Sequence, residues 1–509
     1  MPTHSLANKT PPSFKSGVLF MMKTKSVFVG LSLFLIFSGC TNSKEVRVKS
    51  LSEVQRDILR SQAQVGQFLN PGEEVPQTAP TKEERCKDRI AALPQDYIHG
   101  WLEVPENPAD QSSPKINMFY YGRLKADKNL KQDVTIFFNG GPGGDSESSF
   151  LRLSQLQDKD PDKNKTNFLF IDQRGNGCSD FYPQGQTEDV LHRLAFYGTR
   201  GIVADSEALR KYLIGNQKWR VFGQSYGAYV VHKYAILNPE SISKAYAHAN
   251  VITASAVMRH SERIAAQDRV LKEYLKVFPD DKAKLETMNA ALFEKPCVVD
   301  QTDKKYCGYL LSTPFVMMLG FKTAWPNLHN WLNVIVDANN KVNLESLGNL
   351  ALLYLVDDDL VWNNKMTMQN VVAYVDRNYT DLEGKLCEKV HSELRGRGLE
   401  PEKFILDECK DENVTYADGS RGELDSTDYS LLSKLQTDWM TAEQLKASLQ
   451  AHPELEFNLY SGEYDCFVPV ANFKAEVEIL KPLINYTHFT TSGHDGFYSE
   501  SKVWQDLAK

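Results

Sequence analysis

The 509-residue sequence lacks any strong excess of one charge: 58 basic side chains stand against 66 acidic ones, a net of -8. Nothing in that balance draws the chain to nucleic acid. It has no internal repeat and no low-complexity run, and its 30 Gly and 22 Pro follow no period, which excludes collagen, coiled coil and wholesale disorder. It has no Cys-x-x-Cys pair, and its eleven His show no His-Glu-x-x-His spacing, so no metal site is expected. Long apolar runs are missing apart from one, Val27 to Phe37, broken only by Gly30 and Ser32. What remains is ordinary globular composition, 42% hydrophobic and 24% charged. At roughly 100–200 residues per domain the length predicts two to four domains, each able to bury a sizeable core.

The apolar run follows Lys23 and Lys25 and leads into small residues. That is the layout of a secretory signal peptide, too short for a transmembrane helix. Residues 1–21 sit awkwardly before such a signal, so the expected start of translation is Met21 or Met22. The end of the run, Phe37-Ser38-Gly39-Cys40, resembles a bacterial lipobox, and the resemblance implies lipid on Cys40 and membrane attachment there. Thr41 rather than Asp follows the cysteine, which resembles outer-membrane sorting. The expectation is an exported lipoprotein facing the periplasm or the cell surface.

Export implies an oxidising compartment, where disulfides persist. Of eight cysteines, seven remain once Cys40 is set aside, so at least one stays unpaired. Cys297 with Cys307 and Cys387 with Cys409 are the local pairings expected, although connectivity cannot be read from sequence.

Residues 1–40 are read as the signal region and 41–96 as a polar tether and lead-in. Strand patterns begin at Tyr97–Val104 and Lys115–Leu124, a predicted antiparallel hairpin. Short apolar runs then alternate with helical spacing: Val134–Phe138, Phe168–Ile171, Val203–Leu213, Arg220–Gly223, Tyr226–Leu237 and Ser243–Ala249. Buried short strands alternating with helices predict a mostly parallel sheet with helices on both faces, over residues 97–255. From 256 to 440 the pattern is mainly helical, a predicted cap insertion. Strands return at Leu455–Tyr460 and Tyr486–Thr491, and residues 441–509 complete the core.

The sharpest local signal is Gly223-Gln224-Ser225-Tyr226-Gly227 at a predicted strand–helix junction. Such a turn holds Ser225 on a strained elbow with its hydroxyl above the sheet edge. A Ser nucleophile needs a base, and the base an anion to orient it. Asp465 follows the strand ending at Tyr460. His494, in Ser492-Gly493-His494-Asp495-Gly496, follows the last strand. Alone, Asp465 reads as a turn residue and His494 as a surface loop; their order after Ser225, and their places at strand ends, make them catalytic candidates. The run Asn139-Gly140-Gly141-Pro142-Gly143-Gly144 follows the first parallel strand. Acyl transfer makes an oxyanion that backbone N–H groups must stabilise. Tyr226, after the nucleophile, is one expected donor and Gly141 the other, with Gly140 close behind. A phosphate-cradling loop is disfavoured, because no Gly-Lys-Ser/Thr follows.

These motifs, with Asp172-Gln173-Arg174-Gly175-Asn176-Gly177-Cys178-Ser179 and Gly462–Pro469, resemble the prolyl aminopeptidase and tripeptidyl aminopeptidase family of serine peptidases. The resemblance covers roughly 97–255 and 440–509. It implies an α/β-hydrolase fold with a helical cap and cleavage of short peptides near a free N-terminus, without any cofactor. Asn139 stands where the prolyl type has His, and Glu463 replaces Arg. The family's cap supplies carboxylates to the substrate amine; Asp357–Asp359, near Trp362, is a candidate, though a charge run of this kind is ordinarily a solvated turn. Three other readings stay open: a serine carboxypeptidase, suggested by Asn139–Ser146 and Gly223–Tyr229; an esterase; and an inactive hydrolase used as a binding module.

Overall fold

The computed structural model describes residues 82–508 apart from 94–96, 124–133, 145, 160–165, 181–182, 184–187, 250–255, 296, 300–304, 308, 355–360, 363–365, 368–374, 377–385 and 400–437. Cys40, Cys409 and Asp357–Asp359 lie outside the described residues.

An eight-stranded sheet forms the centre, its strands ordered Tyr97–Pro105, Lys115–Arg123, Asn167–Ile171, Val134–Phe138, Trp219–Gln224, Ile242–His248, Glu456–Gly462 and Asn485–Phe489. β1 (Tyr97–Pro105) and β2 (Lys115–Arg123) make the predicted antiparallel hairpin. β2 also runs antiparallel to β4 (Asn167–Ile171). From β4 onward every pairing is parallel: β3 (Val134–Phe138), β5 (Trp219–Gln224), β6 (Ile242–His248), β11 (Glu456–Gly462) and β12 (Asn485–Phe489).

All five residues of β3 are buried, as a central strand covered on both faces requires. Its alternating side chains feed two cores. Ile136 and Phe138 join Val221, Ala245, Tyr229 and Tyr234 on one face. Phe137 joins Phe168, Phe170, Phe222, Tyr246, Phe497 and Trp504 on the other. Aromatic contact dominates there, and the Phe222 and Phe497 rings lie 4.1 Å apart. Helices Thr199–Ile214, Tyr226–Leu237 and Ala442–Ala451 pack on the first face. The last opens with a reciprocal cap: Gln444 N donates to Thr441 Oγ1 at 3.2 Å, and Thr441 N to Gln444 Oε1 at 2.9 Å.

Between β6 and helix Ala442–Ala451 the described residues carry six α-helices, from Ala256–Val277 to Leu386–Gly396. Two small ladders accompany them: β7 (Cys297–Val299) with β8 (Lys305–Cys307), and β9 (Val361–Trp362) with β10 (Met366–Thr367). Cys297 is disulfide-bonded, and the β7–β8 register sets it opposite Cys307. Cys387 lies on helix Leu386–Gly396.

The end of the polar lead-in is tied to the sheet, which the sequence pattern did not suggest. Helix Lys82–Ala92 carries Cys86, disulfide-bonded to Cys178 across 92 residues. It also carries Arg89, whose guanidinium donates to Asp172 Oδ2 at 2.8 Å, Tyr121 Oη at 2.6 Å and Ser146 Oγ at 3.1 Å. Asp172 also accepts from Ser146 Oγ at 2.6 Å and Cys178 N at 2.8 Å. A buried carboxylate is tolerated here because a cation and several donors converge on it. A disulfide and an ion pair dock this helix, and Ile90 packs against the aromatic core beside them.

Candidate active site

Ser225 ends β5 and opens helix Tyr226–Leu237 with φ 56° and ψ -122°. That left-handed backbone is unfavourable for a non-glycine residue, by about 1–3 kcal/mol, and persists only where the surroundings fix it. Ser225 N donates to His248 O at 2.9 Å, and Ser225 O accepts from Ala228 N at 3.0 Å. The flanking glycines permit this turn by close approach: a Cβ on Gly227 would overlap Phe138 O, and one on Gly223 would overlap Gly227 O. The helix therefore starts directly on the backbone of β3.

Asp465 follows β11 and is fully buried. Its Oδ1 accepts from Phe467 N at 2.9 Å and Val468 N at 2.8 Å. Its Oδ2 lies 2.7 Å from His494 Nδ1. A carboxylate there selects the Nδ1–H tautomer and leaves Nε2 to accept a proton. Two contacts hold the His494 loop: His494 N donates to Gly320 O at 2.8 Å, and Gln224 Nε2 donates to His494 O at 2.5 Å. The second joins the histidine loop to the residue just before Ser225. Ser225 Oγ and the imidazole are not hydrogen-bonded to one another; catalytic contacts of this kind are commonly long until substrate draws them in.

Gly140 and Gly141 leave β3 beside the elbow. A Cβ on Gly140 would sit 3.1 Å from Ser225 Cβ and 3.7 Å from its Oγ. Gly141 is exposed with φ 127° and precedes a cis peptide to Pro142. Asn139 Nδ2 shapes the loop by donating to Gly144 O at 2.6 Å and Gly140 O at 3.1 Å. Of the expected donors, Tyr226 follows the serine directly, while Gly140 is the loop residue placed against Ser225 and Gly141 is the next residue along that loop.

Several neighbours carried no sequence signal. Phe321 and Phe467 stand against the imidazole, with ring centroids 5.6 and 5.1 Å away. Asp495 accepts from Thr323 N at 3.0 Å, which fixes the segment after helix Tyr309–Gly320 to the histidine loop. His248, at the end of β6, lies 6.3 Å from His494. Burial, then the neighbouring His494, pushes His248 down to about 4, so it stays neutral near pH 7. Asp376 reaches the elbow helix through Tyr226 and Tyr229. It accepts from Tyr226 Oη at 2.6 Å, Thr199 N at 2.9 Å and Thr199 Oγ1 at 2.7 Å, while its backbone O accepts from Tyr229 Oη. Burial raises its carboxyl above the usual range, and the Tyr226 hydrogen bond opposes that rise. Cys466 is a free, buried thiol, pushed up by burial and then by Asp465 beside it, hence unreactive. Among the described residues, no three His, Cys, Asp or Glu side chains converge as a metal-holding group.

This topology, with a Ser elbow after β5 and Asp and His after the last two strands, is the α/β-hydrolase fold. A family model described as alpha/beta hydrolase fold matches residues 134–295. The chain is distantly similar to two proteins provisionally named proline iminopeptidase. One, from Mycoplasma pneumoniae, is 29% identical over 121 residues, 24% of this chain and 34% of that protein. The other, from Mycoplasma genitalium, is 29% identical over 152 residues, 30% of this chain and 40% of that protein. The match therefore spans two-fifths or less of those relatives. Among solved structures, an acetylester hydrolase from Corynebacterium glutamicum shares 14% identity at TM-score 0.41, covering 81% of this chain and 95% of that one. Proline iminopeptidase from Mycobacterium smegmatis shares 12% at TM-score 0.37, covering 80% and 97%.

Proposed function

We propose that the protein is an exported serine hydrolase, an aminopeptidase that cleaves short peptides near a free N-terminus through an acyl-enzyme on Ser225. The observation that carries the reading is the 2.7 Å Asp465–His494 pair, tied by Gln224 to the strained elbow. Ser225 Oγ attacks the scissile carbonyl while His494 Nε2 takes its proton. Asp465 holds the imidazole in its tautomer and stabilises the imidazolium. The N–H groups of Tyr226 and of Gly141 or Gly140 meet the oxyanion. The imidazolium then protonates the leaving amine as the C–N bond breaks. A water, deprotonated by His494, hydrolyses the ester and restores Ser225. No cofactor enters. The preference for peptides with a free amine rests on the motif resemblance and on the distant likeness to proteins named for iminopeptidase activity.

Export is supported by the Cys86–Cys178 disulfide, a bond that persists in oxidising compartments. With the signal region before it, this favours a lipoprotein anchored through Cys40. Residues 256–440 serve as the cap over the site.

A panel of aminoacyl amides, free and N-blocked peptides and p-nitrophenyl esters tests the chemistry. Turnover of free-amino peptides, lost in Ser225→Ala, is the expected result; turnover of esters alone, or release only from the carboxyl end, would replace this reading. Palmitate labelling abolished by Cys40→Ala tests the anchor.

A further inference from the structure

We infer that Arg152 selects substrates by binding a carboxylate on the leaving-group side of the scissile bond, so that the enzyme prefers short peptides ending within a few residues of the cut. This rests on the serine-peptidase reading above and adds a substrate class to it.

Arg152 lies on helix Glu147–Lys159, which begins just after the Gly-rich loop. Its guanidinium carbon sits 3.7 Å from the Tyr498 ring centroid and 5.7 Å from that of Phe321. Phe321 in turn stands edge-on to the His494 imidazole, 5.6 Å away at 70°. The cation and the proposed catalytic base thus flank one phenyl ring.

No carboxylate among the described residues pairs with Arg152. The acids around the imidazole are engaged: Asp465 by His494 and two backbone amides, Asp495 by Thr323 and Gly493 N. Lys322, beside Phe321, likewise lies over rings, those of Trp325 and Tyr464, rather than against an acid. Arg152 and Lys322 are thus cations held by rings rather than by acids among the described residues, and Arg152 is only half-buried. An arginine braced on an aromatic ring keeps its planar fork pre-organised and is weakly hydrated, which suits it to bidentate capture of a carboxylate.

Chemistry fixes the side. The imidazolium hands its proton to the leaving amine, so the leaving group lies by His494. Phe321 neighbours both the Arg152 guanidinium and the imidazole, which brings Arg152 within reach of a group held at His494. Chained through Phe321, the two groups are at most about 11 Å apart, a reach of about three extended residues. The carboxylate that falls there is the C-terminus of a short leaving peptide.

The test compares kcat/KM for di-, tri- and pentapeptides headed by alanine or proline, each as free acid and C-terminal amide, with alanyl- and prolyl-p-nitroanilide as substrates lacking that carboxylate. The expected result is an acid-over-amide preference of about ten-fold or more for the shorter peptides, carried mainly by KM. It declines in the pentapeptides, collapses towards one in Arg152→Gln and survives in part in Arg152→Lys. Equal turnover of acids and amides by the unmodified protein overturns the inference, as does a preference unchanged in both variants. If the variants do not fold, the acid-to-amide ratio of the unmodified protein and its length dependence decide. Turnover of the p-nitroanilides with no acid preference leaves the aminopeptidase reading standing and removes only Arg152. No turnover of any free-amino substrate removes both.

Discussion

Gln224 Nε2 donates to His494 O at 2.5 Å, so the residue before the elbow serine holds the loop that carries the imidazole. Two segments 270 residues apart are registered by one amide. Gln224→Ala is expected to lower kcat about ten- to hundred-fold, because misplacement of a catalytic group by about 1 Å costs on that order. KM should move little. Gln224→Glu should be worse near neutral pH, since a carboxylate would face the His494 carbonyl with no proton to share. Steady-state kinetics on the best peptide, with circular dichroism as a fold control, checks both.

Asp465→Asn separates geometry from charge. The asparagine oxygen can still accept from Phe467 N and Val468 N, so the turn should hold. Its amide NH2 would face His494 Nδ1 and favour the tautomer with the proton on Nε2, where it cannot accept from Ser225. A loss of about 10⁴ in kcat with an unchanged spectrum is expected. Near-full activity would remove Asp465 from the mechanism.

The parts of this site that could be read from sequence are those whose constraint is local. Gly223 and Gly227 frame Ser225 because backbone passes within touching distance of both, and only glycine fits. The central strands show themselves because burial on both faces demands unbroken apolar runs such as Val134–Phe138. Arg89 was invisible, because it sits in a polar helix and its partner Asp172 is 83 residues on. Asp376 was invisible for the same reason: the residues it holds, Thr199 and Tyr226, are 177 and 150 residues away. The Cys86–Cys178 bond likewise joins distant segments, whereas spacing suggested only short loops.

The docking of helix Lys82–Ala92 makes a stability prediction. Cys86→Ser combined with Cys178→Ser opens a 92-residue loop and should cost about 3–5 kcal/mol. Arg89→Met leaves Asp172 buried without its cation and should cost about 3–5 kcal/mol on its own. The two act through one helix, so their combined effect should fall short of the sum. Urea unfolding of the single, double and triple variants, read from the transition midpoints, gives the coupling.

Acid sensitivity follows from two buried histidines. Burial, then His494, pushes His248 down to about 4, and burial alone pushes His232 down to about 3, from an ordinary 6.5. Asp465 and Asp495 face His248 and pull the other way, but more weakly. Between pH 6.5 and 4 the unfolded chain takes up a proton at each site that the folded protein refuses. Stability must therefore fall as pH drops through that window, by about 1.4 kcal/mol per pH unit for each histidine. For His248 alone the loss reaches about 3 kcal/mol by pH 4. Carboxylates add to the overall acid slope, so the informative quantity is a difference between proteins. His248→Asn should unfold with a pH slope shallower by close to one proton over this range, whatever its stability at pH 7. Parallel urea titrations at pH 7, 5.5 and 4.5 measure that difference. Equal slopes would mean that His248 is protonated in the folded protein as readily as in the unfolded chain, and Asp465 and Asp495 would then have to offset the burial of a cation whose ring nitrogens have no hydrogen-bond partner among the described residues.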